Sequence, residues 1–428
     1  MYIKERGEKM KKKILLGVLI VLILLGIGGA YAYFETDAFK SEKEMFFEYL
    51  STNIENEKML EYVKKQENTP YTNKGEMSIK SQGENSLTRA EDETVQMLNN
   101  SKITFEGKVD NNKKLAEQTM TMNFAQGFNV PVKIRRDGDI IGIQSNLLDS
   151  KFIAVRNSNL KSLLERFGAD AEYVPDKIDF EKSQFTAEEL ETLKDRYFSI
   201  LNNNLEEELF NKEKIDGQTI ITLNMTDKKC TEIMIDILET LRNDDIILNK
   251  ISLTMDKQDF KDSIDDAIDE AKDIETSDKN ALCIKLYVES KSVKKIEMTM
   301  NDPENNKSVA KVEISKEQNG NNLVYTINVN ADSEDDGKIT IDTKIEYKNL
   351  LDLNNLNNVE ENYEIRVKTT DTYEDEMDVS LNYTNSKTFT TDVNIEEINS
   401  NNATIINDAT DDELDELLTK IYENLGLY

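Results

Sequence analysis

Residues 281–395 alternate between apolar and polar side chains with a period of two, and this pattern constrains the fold more than any other feature of the chain. The alternation recurs in eight short runs joined by Asn, Asp and Gly turns, from a first run around Ile284 to an eighth with Phe389, Val393 and Ile395. A period of two places every second side chain on the same face of a strand. Eight such runs in succession predict an antiparallel meander with one apolar and one solvated face.

Shorter alternating segments precede this region. Six of them, between residues 77 and 155, predict further strands. Asp137-Gly138 lies between two of these segments and predicts a two-residue hairpin turn, because both turn positions favour a positive φ. A polar stretch over residues 81–100 predicts an exposed loop.

Helices are predicted where apolar residues repeat every three or four positions. Thr186 with Glu189 and Thr410 with Glu413 form capping boxes, in which the hydroxyl and the carboxylate each satisfy an unpaired backbone amide. The second box opens a helix that we expect to close against the sheet. A stretch over 256–274 is acidic and thinly apolar, so we expect either a surface helix or a partly ordered segment there.

The N-terminus predicts a membrane anchor. A basic tail over residues 1–13 precedes an uncharged apolar run over 14–34, and about 20 apolar residues span the hydrocarbon core of a bilayer. Basic residues before the span predict a cytoplasmic N-terminus and an extracytoplasmic remainder. The residues that carry this prediction are Lys11, Lys12, Lys13, Ile14, Leu24 and Tyr33. The alternative is a signal peptide that is cleaved after Ala32.

Composition excludes several classes of function. The chain carries 84 Asp and Glu against 53 Lys and Arg, a net charge of −31, so we expect no nucleic-acid partner. It has no histidine, which excludes His-based catalytic triads and His-ligated zinc or iron sites. Carboxylate pairs are frequent in so acidic a chain and therefore single out no catalytic site. We expect a protein that is not an enzyme and that has no cofactor.

One acidic segment resembles the start of a calcium loop. Asp332, Glu334 and Asp336 supply oxygen atoms at alternate positions, and Gly337 stands in the sixth place. The twelfth position is Thr343 rather than the glutamate of such loops. The alternatives are therefore a weak calcium site and a charged hairpin turn.

The chain has two cysteines, Cys230 and Cys283. Their spacing gives no disulfide geometry, and we expect buried thiols or an incidental pair rather than a designed bridge. A catalytic thiol is not expected, because the chain has no histidine to activate it.

The apolar face of the predicted sheet needs a cover. A sheet this wide is expected to curl, and a gap between the sheet and its helices would form an apolar groove. Met298, Met300, Tyr325 and Phe389 are the candidate lining residues, because methionine adapts to irregular ligands. A fully packed core is the alternative.

A resemblance in layout rests on Lys11–Leu16, on Phe152–Val155 running into Leu160–Phe167, and on Asp411–Leu425. These segments supply an anchor, a strand followed by a helix, and a closing helix. The layout resembles the lipoprotein-carrier-like half-barrels of bacterial envelopes. It is also similar to uncharacterised membrane-anchored surface proteins of AT-rich Gram-positive bacteria. The resemblance implies a bacterial surface protein that binds an amphiphile, and it assigns no site residue.

The predicted fold class is α+β. It is a large curved antiparallel β-meander, half-barrel-like, packed on inserted and C-terminal helices and preceded by an N-terminal transmembrane helix. The predicted segments are a cytoplasmic basic tail (1–13), a transmembrane signal anchor (14–34), a juxtamembrane helix (35–70), an α+β region (71–280) and a meander with a C-terminal helix (281–428). The last two segments are either separate domains or parts of one sheet.

These features predict a single-pass plasma-membrane protein whose extracytoplasmic part is a non-catalytic binding or carrier module. Its ligand would be a hydrophobic envelope molecule, a lipid or an acyl chain. The alternative is a surface scaffold or accessory subunit whose acidic surface binds a partner protein of the envelope.

Overall fold

The computed structural model describes residues 40–51, 54–83, 95–96, 99–123, 129–168, 185–251, 256–302, 308–333, 337–352, 356–370 and 376–426. Within these ranges sixteen strands form one sheet, and helices pack mainly on one of its faces. In chain order the strands are β1 (Tyr71–Gly83), β2 (Lys102–Asp110), β3 (Leu115–Asn123), β4 (Asn129–Asp137), β5 (Ile140–Ser145), β6 (Asp149–Arg156), β7 (Phe210–Ile215), β8 (Gln218–Thr226), β9 (Asn280–Glu289), β10 (Ser292–Asn301), β11 (Ser308–Asn319), β12 (Asn322–Ser333), β13 (Gly337–Lys348), β14 (Asn358–Thr370), β15 (Glu376–Phe389) and β16 (Ala403–Ile405).

The order across the sheet is β16-β6-β5-β4-β3-β2-β1-β15-β14-β13-β12-β11-β10-β9-β8-β7. The chain therefore enters the sheet in its interior at β1 and steps outward to β6. It starts again at the opposite edge with β7 and returns strand by strand to β15, which pairs with β1 from Tyr71 opposite Phe389 to Gly83 opposite Met377. All pairings are antiparallel except the short parallel pairing of β16 with β6. The sheet is not closed, and β7 and β16 are its two edges.

The predicted boundary at residue 280 falls at the start of β9. Because β9 pairs with β8, the sheet continues across this position without a break. The strands on both sides of residue 280 thus share one hydrogen-bonded ladder.

Alternation gives the sheet two chemically different faces. On β12, Tyr325 and Ile327 project to one face, and Thr326 and Asn328 project to the other. The register aligns Ile327 with Ile314 on β11, so neighbouring strands continue the same face. We call the side of Tyr325 and Ile327 the apolar face and the opposite side the polar face.

The eighth alternating run does not form the predicted strand. Phe389 ends β15, whereas Val393 and Ile395 belong to residues 390–402, which have no regular secondary structure. Both side chains are nevertheless buried. Val393 and Ile395 pack against the sheet without pairing as a strand. An apolar period of two is found in both situations, so the sequence pattern alone cannot distinguish them.

Residues 390–402 form a strap across the polar face of β2–β6. The amide of Ile398 donates to a carboxylate oxygen of Asp137 at 2.8 Å. Ile398 is buried in one cluster with Phe152 and Ala403. The strap thereby carries the chain from β15 in the interior of the sheet to β16 at its edge.

The hairpin between β4 and β5 is shifted by one residue from its prediction. Asp137 still pairs with Ile140, so the two turn residues are Gly138 and Asp139. Gly138 has a φ of +55°, the left-handed conformation that glycine adopts without strain. The glycine thus sits at the first turn position rather than the second.

The described helices are α1 (Glu42–Ser51), α2 (Ile54–Asn68), α3 (Leu160–Arg166), α4 (Ala187–Asn204), α5 (Asp227–Asn243), α6 (Asp245–Ile251), α7 (Lys257–Lys272) and α8 (Asp411–Leu425). Helices α1, α4 and α5 cover the apolar face of β8–β11. Phe46, Leu201 and Ile233 are buried there against Ile221 and Leu286.

Helix α2 covers a second part of the apolar face. Its Tyr62 is buried with Leu323, Val359 and Phe389. The region over 35–70 thus contains two described helices that dock on the sheet. Their aromatic side chains are buried, as the free energy of exposing them to water predicts.

The capping boxes are confirmed. The Thr186 hydroxyl accepts from the Glu189 amide and the Glu189 carboxylate accepts from the Thr186 amide, and the pair at Thr410 and Glu413 does the same. Helix α8 packs against β6, with Leu414 and Leu417 buried.

The stretch over 256–274 is the regular helix α7. Its Ile264 and Ile268 are buried against Leu238 of α5, so it is an ordered surface helix. Few apolar residues suffice here because they share one side of the helix.

The predicted anchor from Lys11 to Tyr33 lies outside the described residues. Within residues 40–426, as far as the structure describes them, no helix combines the length and apolarity needed to cross a bilayer.

The cysteines are not joined by a disulfide. Cys230 belongs to α5 and is buried between this helix and the apolar face. Cys283 on β9 alternates with residues of the apolar face and therefore projects to the polar face. The sheet therefore separates the two thiols.

Candidate functional site

The four predicted groove residues belong to two separate packed clusters. Met298 and Met300 lie on β10 under α1 and α5, where Met298 is 2% exposed. Tyr325 and Phe389 pack with Tyr62 of α2, and Phe389 is 6% exposed. The structure brings each pair together but does not gather the four around one opening.

A different part of the apolar face is left open by the described helices. Its apolar side chains are half-buried or exposed, and they belong to none of the four buried clusters. We call this the open face, and it consists of Met77, Ile79, Ile103, Phe105, Met120, Met122, Val130, Val132, Ile134, Ile141, Ile143, Ile153, Val155, Ile339, Ile341, Ile365, Val367, Met377, Val379, Leu381 and Tyr383.

Strand pairing places these side chains on one surface. Met122 on β3 lies opposite Ile103 on β2 and Val130 on β4, and Ile103 lies opposite Met77 on β1. Directly opposed residues have Cβ atoms about 5 Å apart, so the row is continuous. The open face therefore runs from β6 through β1 to the adjoining parts of β13–β15.

The degree of exposure shows that this surface is open on one side. Met122 is 38% exposed, Ile143 is 38% exposed and Ile339 is 42% exposed, although all three have apolar neighbours on the sheet. Together the 21 side chains offer on the order of several hundred Å² of apolar surface, the size of the largest and often functional patch on a soluble monomer.

A row of aromatic rings crosses the apolar face between the open face and α2. Phe105 stacks on Tyr383 with ring centroids 5.4 Å apart, Tyr383 contacts Tyr363 at 5.5 Å, and Tyr363 contacts Tyr347 at 6.2 Å. Gly75 makes the first contact feasible, because a Cβ atom there would lie 2.6 Å from Cζ of Phe105. Phe105 and Tyr383 belong to the open face, and Tyr363 and Tyr347 continue the row toward α2.

Behind this row a buried carboxylate fastens α2 to the sheet. Glu361 on β14 is 7% exposed and accepts three hydrogen bonds. Tyr62 donates to Oε1 at 2.8 Å, Lys387 donates to Oε1 at 3.0 Å, and Asn385 donates to Oε2 at 3.1 Å. These donors and the Lys387 charge satisfy the carboxylate in an otherwise aromatic environment.

The buried Tyr62 and the half-buried Tyr71 and Tyr383 near Glu361 stay protonated well beyond neutral pH. Burial and the neighbouring carboxylate raise the pKa of Tyr62 and of Tyr71. Burial raises the pKa of Tyr383 to about 12, with smaller contributions from Glu361 and Tyr363. The phenols and the buried carboxylate form one packed, hydrogen-bonded cluster that fastens α2 to the sheet.

The polar face carries a hollow of about 440 Å³ that spans β12–β15 and β1. Its charged lining residues balance, with Lys80, Lys344 and Arg366 against Asp342, Glu364 and Asp378. Arg366 donates to both carboxylate oxygens of Asp378, at 2.9 and 2.5 Å. The hollow therefore adds no net charge to this side of the sheet.

The predicted calcium segment lies in the hairpin between β12 and β13. Asp332 pairs with Lys338, and Ser333 pairs with Gly337, whose φ is +82°. Glu334 and Asp336 lie outside the described residues. Among the described residues, no group of three or more Cys, Asp or Glu side chains is arranged to hold a metal ion.

Sequence reasoning identified the strands of the open face but assigned them no function. The signal was present, because Phe105, Met120 and Ile134 alternate with polar residues just as Met298 does. What sequence alone does not provide is the position of the helices, which cover β8–β11 and leave β2–β6 open on the apolar face.

Comparison with known proteins identifies no family. No family model matches the chain. No curated protein matches it either.

Solved structures give weak likenesses. Transferrin binding protein B of Haemophilus parasuis aligns with a TM-score of 0.13 and 8% identity, over 74% of this chain and 76% of that chain. OccK3 of Pseudomonas aeruginosa aligns with a TM-score of 0.14 and 5% identity, over 75% and 96%. A porin mutant of Rh. blastica aligns with a TM-score of 0.12 and 8% identity, over 74% and 98%. Scores this low support no conclusion about fold or function.

Proposed function

We propose that the protein is a membrane-anchored, extracytoplasmic binding module that holds a hydrophobic envelope molecule, a lipid or an acyl chain, on its open face. The N-terminal basic and apolar segments support the anchor and the orientation. The open face is the single observation that carries the binding role, since a contiguous apolar surface of this size marks an interaction site.

The free energy of apolar burial can be compared with the cost of binding such a ligand. Each methylene group that leaves water contributes about 0.8 kcal/mol. Association opposes this with roughly 4–15 kcal/mol of lost translational and rotational freedom, so about 5 to 19 fully buried methylenes are needed to offset that cost. An acyl chain of ordinary lipid length supplies that number, and the open face supplies the apolar surface.

A second candidate function, a scaffold that binds a partner protein, is favoured by the extent of the open face. A surface of several hundred Å² approaches the area of about 800 Å² that one partner contributes to a standard protein interface. A broad apolar surface bordered by packed aromatic rings also suits a protein better than it suits a small polar ligand.

Photolabelling in cells tests the proposed function. The full chain is expressed in a bacterium that is fed a photoactivatable, clickable palmitic acid, and peptides are mapped after irradiation. We expect label in peptides from β2–β4 as well as in the anchor. The double substitution Met120→Glu and Met122→Glu should remove the label from β2–β4, because it places two charges on the open face.

The matched control is Thr119→Glu with Thr121→Glu on the same strand. These side chains project to the polar face, so the label on β2–β4 should stay unchanged. Absence of label from β2–β4 in the unmodified chain, with the anchor labelled, would exclude the lipid-binding proposal. Reproducible capture of one envelope protein through the same surface would then support the scaffold.

A further inference from the structure

The apolar face changes character along its strands. Near the turns that follow β2 and β4, polar side chains take the place of apolar ones on β14, β15, β1, β3 and β4. We call these side chains the polar band, and they are Glu361, Asn385, Lys387, Asn73, Gln118 and Arg136. Toward the other end of β2–β4 the same face carries only apolar side chains, such as Phe105, Met120 and Val132. The surface is therefore amphipathic along the strand direction.

One part of the polar band lies on the open face. Helix α2 covers the part around Glu361, whose carboxylate accepts three hydrogen bonds from neighbouring side chains. Gln118 and Arg136 are half-buried instead and lie among residues of the open face. Ile134 is directly opposite Gln118, and Ile141 is directly opposite Arg136. These two polar side chains thus form the polar end of the open face.

Gln118 holds a donor that nothing in the described part of the chain engages. Nδ2 of Asn73 donates to Oε1 of Gln118 at 3.4 Å. Gly107 lies between them and makes this contact feasible, because a Cβ atom there would lie 2.4 Å from Oε1 of Gln118. Nε2 of Gln118 is buried and has no hydrogen-bond partner among the described residues. A buried N–H without an acceptor is unfavourable, and an acceptor bound at this place would satisfy it.

Arg136 places a positive charge next to this donor. Arg136 and Gln118 are diagonal neighbours on adjacent strands, because Arg136 pairs with Ala116. Diagonal neighbours are about 7–8 Å apart, a distance that long side chains span. Nε of Arg136 donates to the carbonyl oxygen of Gly138 at 3.4 Å, which keeps the guanidinium at the turn end of the face. Ala116 opposite it carries only a methyl group and leaves space above the sheet.

The acidic side chains of β3 and β4 do not compete for this place. Glu117 and Asp137 project to the polar face, where Nε of Arg135 donates to Glu117 at 2.8 Å and the amide of Ile398 donates to Asp137 at 2.8 Å. The net charge of −31 opposes an anion at longer range, where salt screens it. Locally, Arg136 is the charged side chain of β2–β4 on the open side.

We propose that the ligand of the open face is a long-chain fatty acid, with its carboxylate at Arg136 and Gln118 and its chain along β2–β4 toward Met122. This inference rests on the proposed function and adds the charge and the direction of the ligand. A carboxylate is planar and accepts paired hydrogen bonds from a guanidinium. It is also the smallest anionic head group of a membrane amphiphile. From Arg136 to Val130 the strand advances about 20 Å, comparable with an extended acyl chain.

Photolabelling of the purified full chain in phosphatidylcholine vesicles tests the head group. The two probes are photoactivatable palmitic acid and the matching photoactivatable hexadecanol, used at a pH well above the pKa of the carboxyl group. At equal mole fraction in the vesicles, the acid should reach half-maximal label on β2–β4 at a concentration at least about tenfold lower than the alcohol, the lower end of what hydrogen bonds to a charged group contribute. Arg136→Gln should remove this preference, and Gln118→Leu should reduce it. Lys133→Gln removes one charge on the polar face of β4 and is the matched control, which should keep the preference.

The alcohol probe makes the two proposals fail separately. Loss of the preference in Arg136→Gln with the alcohol label retained supports the carboxylate site, and the retained label shows that the variant is folded. Equal labelling by both probes in the unmodified chain, or a preference that survives Arg136→Gln, overturns the carboxylate site and leaves the proposed function standing. Absence of label from β2–β4 with either probe overturns the proposed function as well.

Two further outcomes are decided in the same experiment. Loss of both labels in Arg136→Gln marks a misfolded variant, and Gln118→Leu then decides by the same criterion. Suppression of both labels when phosphatidylglycerol is added to the vesicles assigns the site to a phosphate head group and overturns the fatty acid.

Discussion

Removal of the Tyr62 hydroxyl is expected to destabilise the fold by about 2 kcal/mol, because this hydroxyl donates at 2.8 Å to the buried carboxylate of Glu361. Hydrogen bonds to charged groups contribute roughly 1.5–3 kcal/mol, and the acceptor here is 7% exposed. In Tyr62→Phe the ring keeps its edge-to-face contact with Phe389, whose centroid is 6.0 Å away. The loss therefore reports on the hydrogen bond rather than on a cavity.

The assay is urea unfolding followed by circular dichroism, with the stability taken from linear extrapolation. An unchanged slope with a lower midpoint identifies a loss of stability in a fold that still buries the same surface. Leu418→Met on the exposed side of α8 is the control, and we expect it to change stability by less than about 0.5 kcal/mol.

A double-mutant cycle isolates the pair. In the Glu361→Gln background the acceptor is neutral, so Tyr62→Phe should destabilise the protein by about 1 kcal/mol less than it does in the native background. A change below about 0.5 kcal/mol for Tyr62→Phe, or no coupling in the cycle, would refute the reasoning. It would mean that water rather than Tyr62 solvates the carboxylate.

Three further predictions concern Tyr383, Gly75 and the contrast between Met298 and Met120. Burial raises the pKa of Tyr383 to about 12, above its ordinary value near 10. The neutral phenol therefore contributes fully to the free energy of unfolding below pH 10, and this contribution is lost as pH rises toward 12. Thermal melts between pH 8 and 12 should show a falling Tm. Gly75→Ala should lower the free energy of unfolding in urea by roughly 1–3 kcal/mol, since its Cβ would meet Phe105 and a backbone oxygen of β15. An unchanged free energy of unfolding would show that the strands can separate there. Met298→Glu should prevent accumulation of folded protein because it buries a charge, whereas Met120→Glu on the open face should be tolerated. Equal trypsin sensitivity of the two variants would contradict the assignment of the open face.

The strands were predictable from the sequence because their signal is local. Each alternating run needs only its own residues to show a period of two, and the capping boxes at Thr186 and Thr410 are equally local. The prediction of a strand at Val393 and Ile395 is wrong for the same reason, since these residues alternate although they do not pair with any strand.

The candidate site was not predictable because it depends on contacts between distant segments. The pairing of β1 with β15 joins residues that are far apart in the chain, and no local pattern encodes it. The location of α1 and α5 decides that Met298 is buried while Met120 stays open, although the two methionines have the same alternating sequence context. Sequence therefore indicated an apolar face but not which half of it is free.

The pairing of β1 with β15 limits how early the sheet can be completed during synthesis. The first strand of the sheet and α2 leave the ribosome early, but their partners on β14 and β15 follow only about 300 residues later, or roughly 15–60 s at ordinary rates of elongation. Throughout that interval one edge of β1 and the residues that later surround Glu361 have no partner to pair with. The chain must therefore protect an unfinished edge of its own sheet for most of its synthesis, which makes a holding chaperone more important for this protein than for a chain whose neighbours in sequence are all neighbours in space.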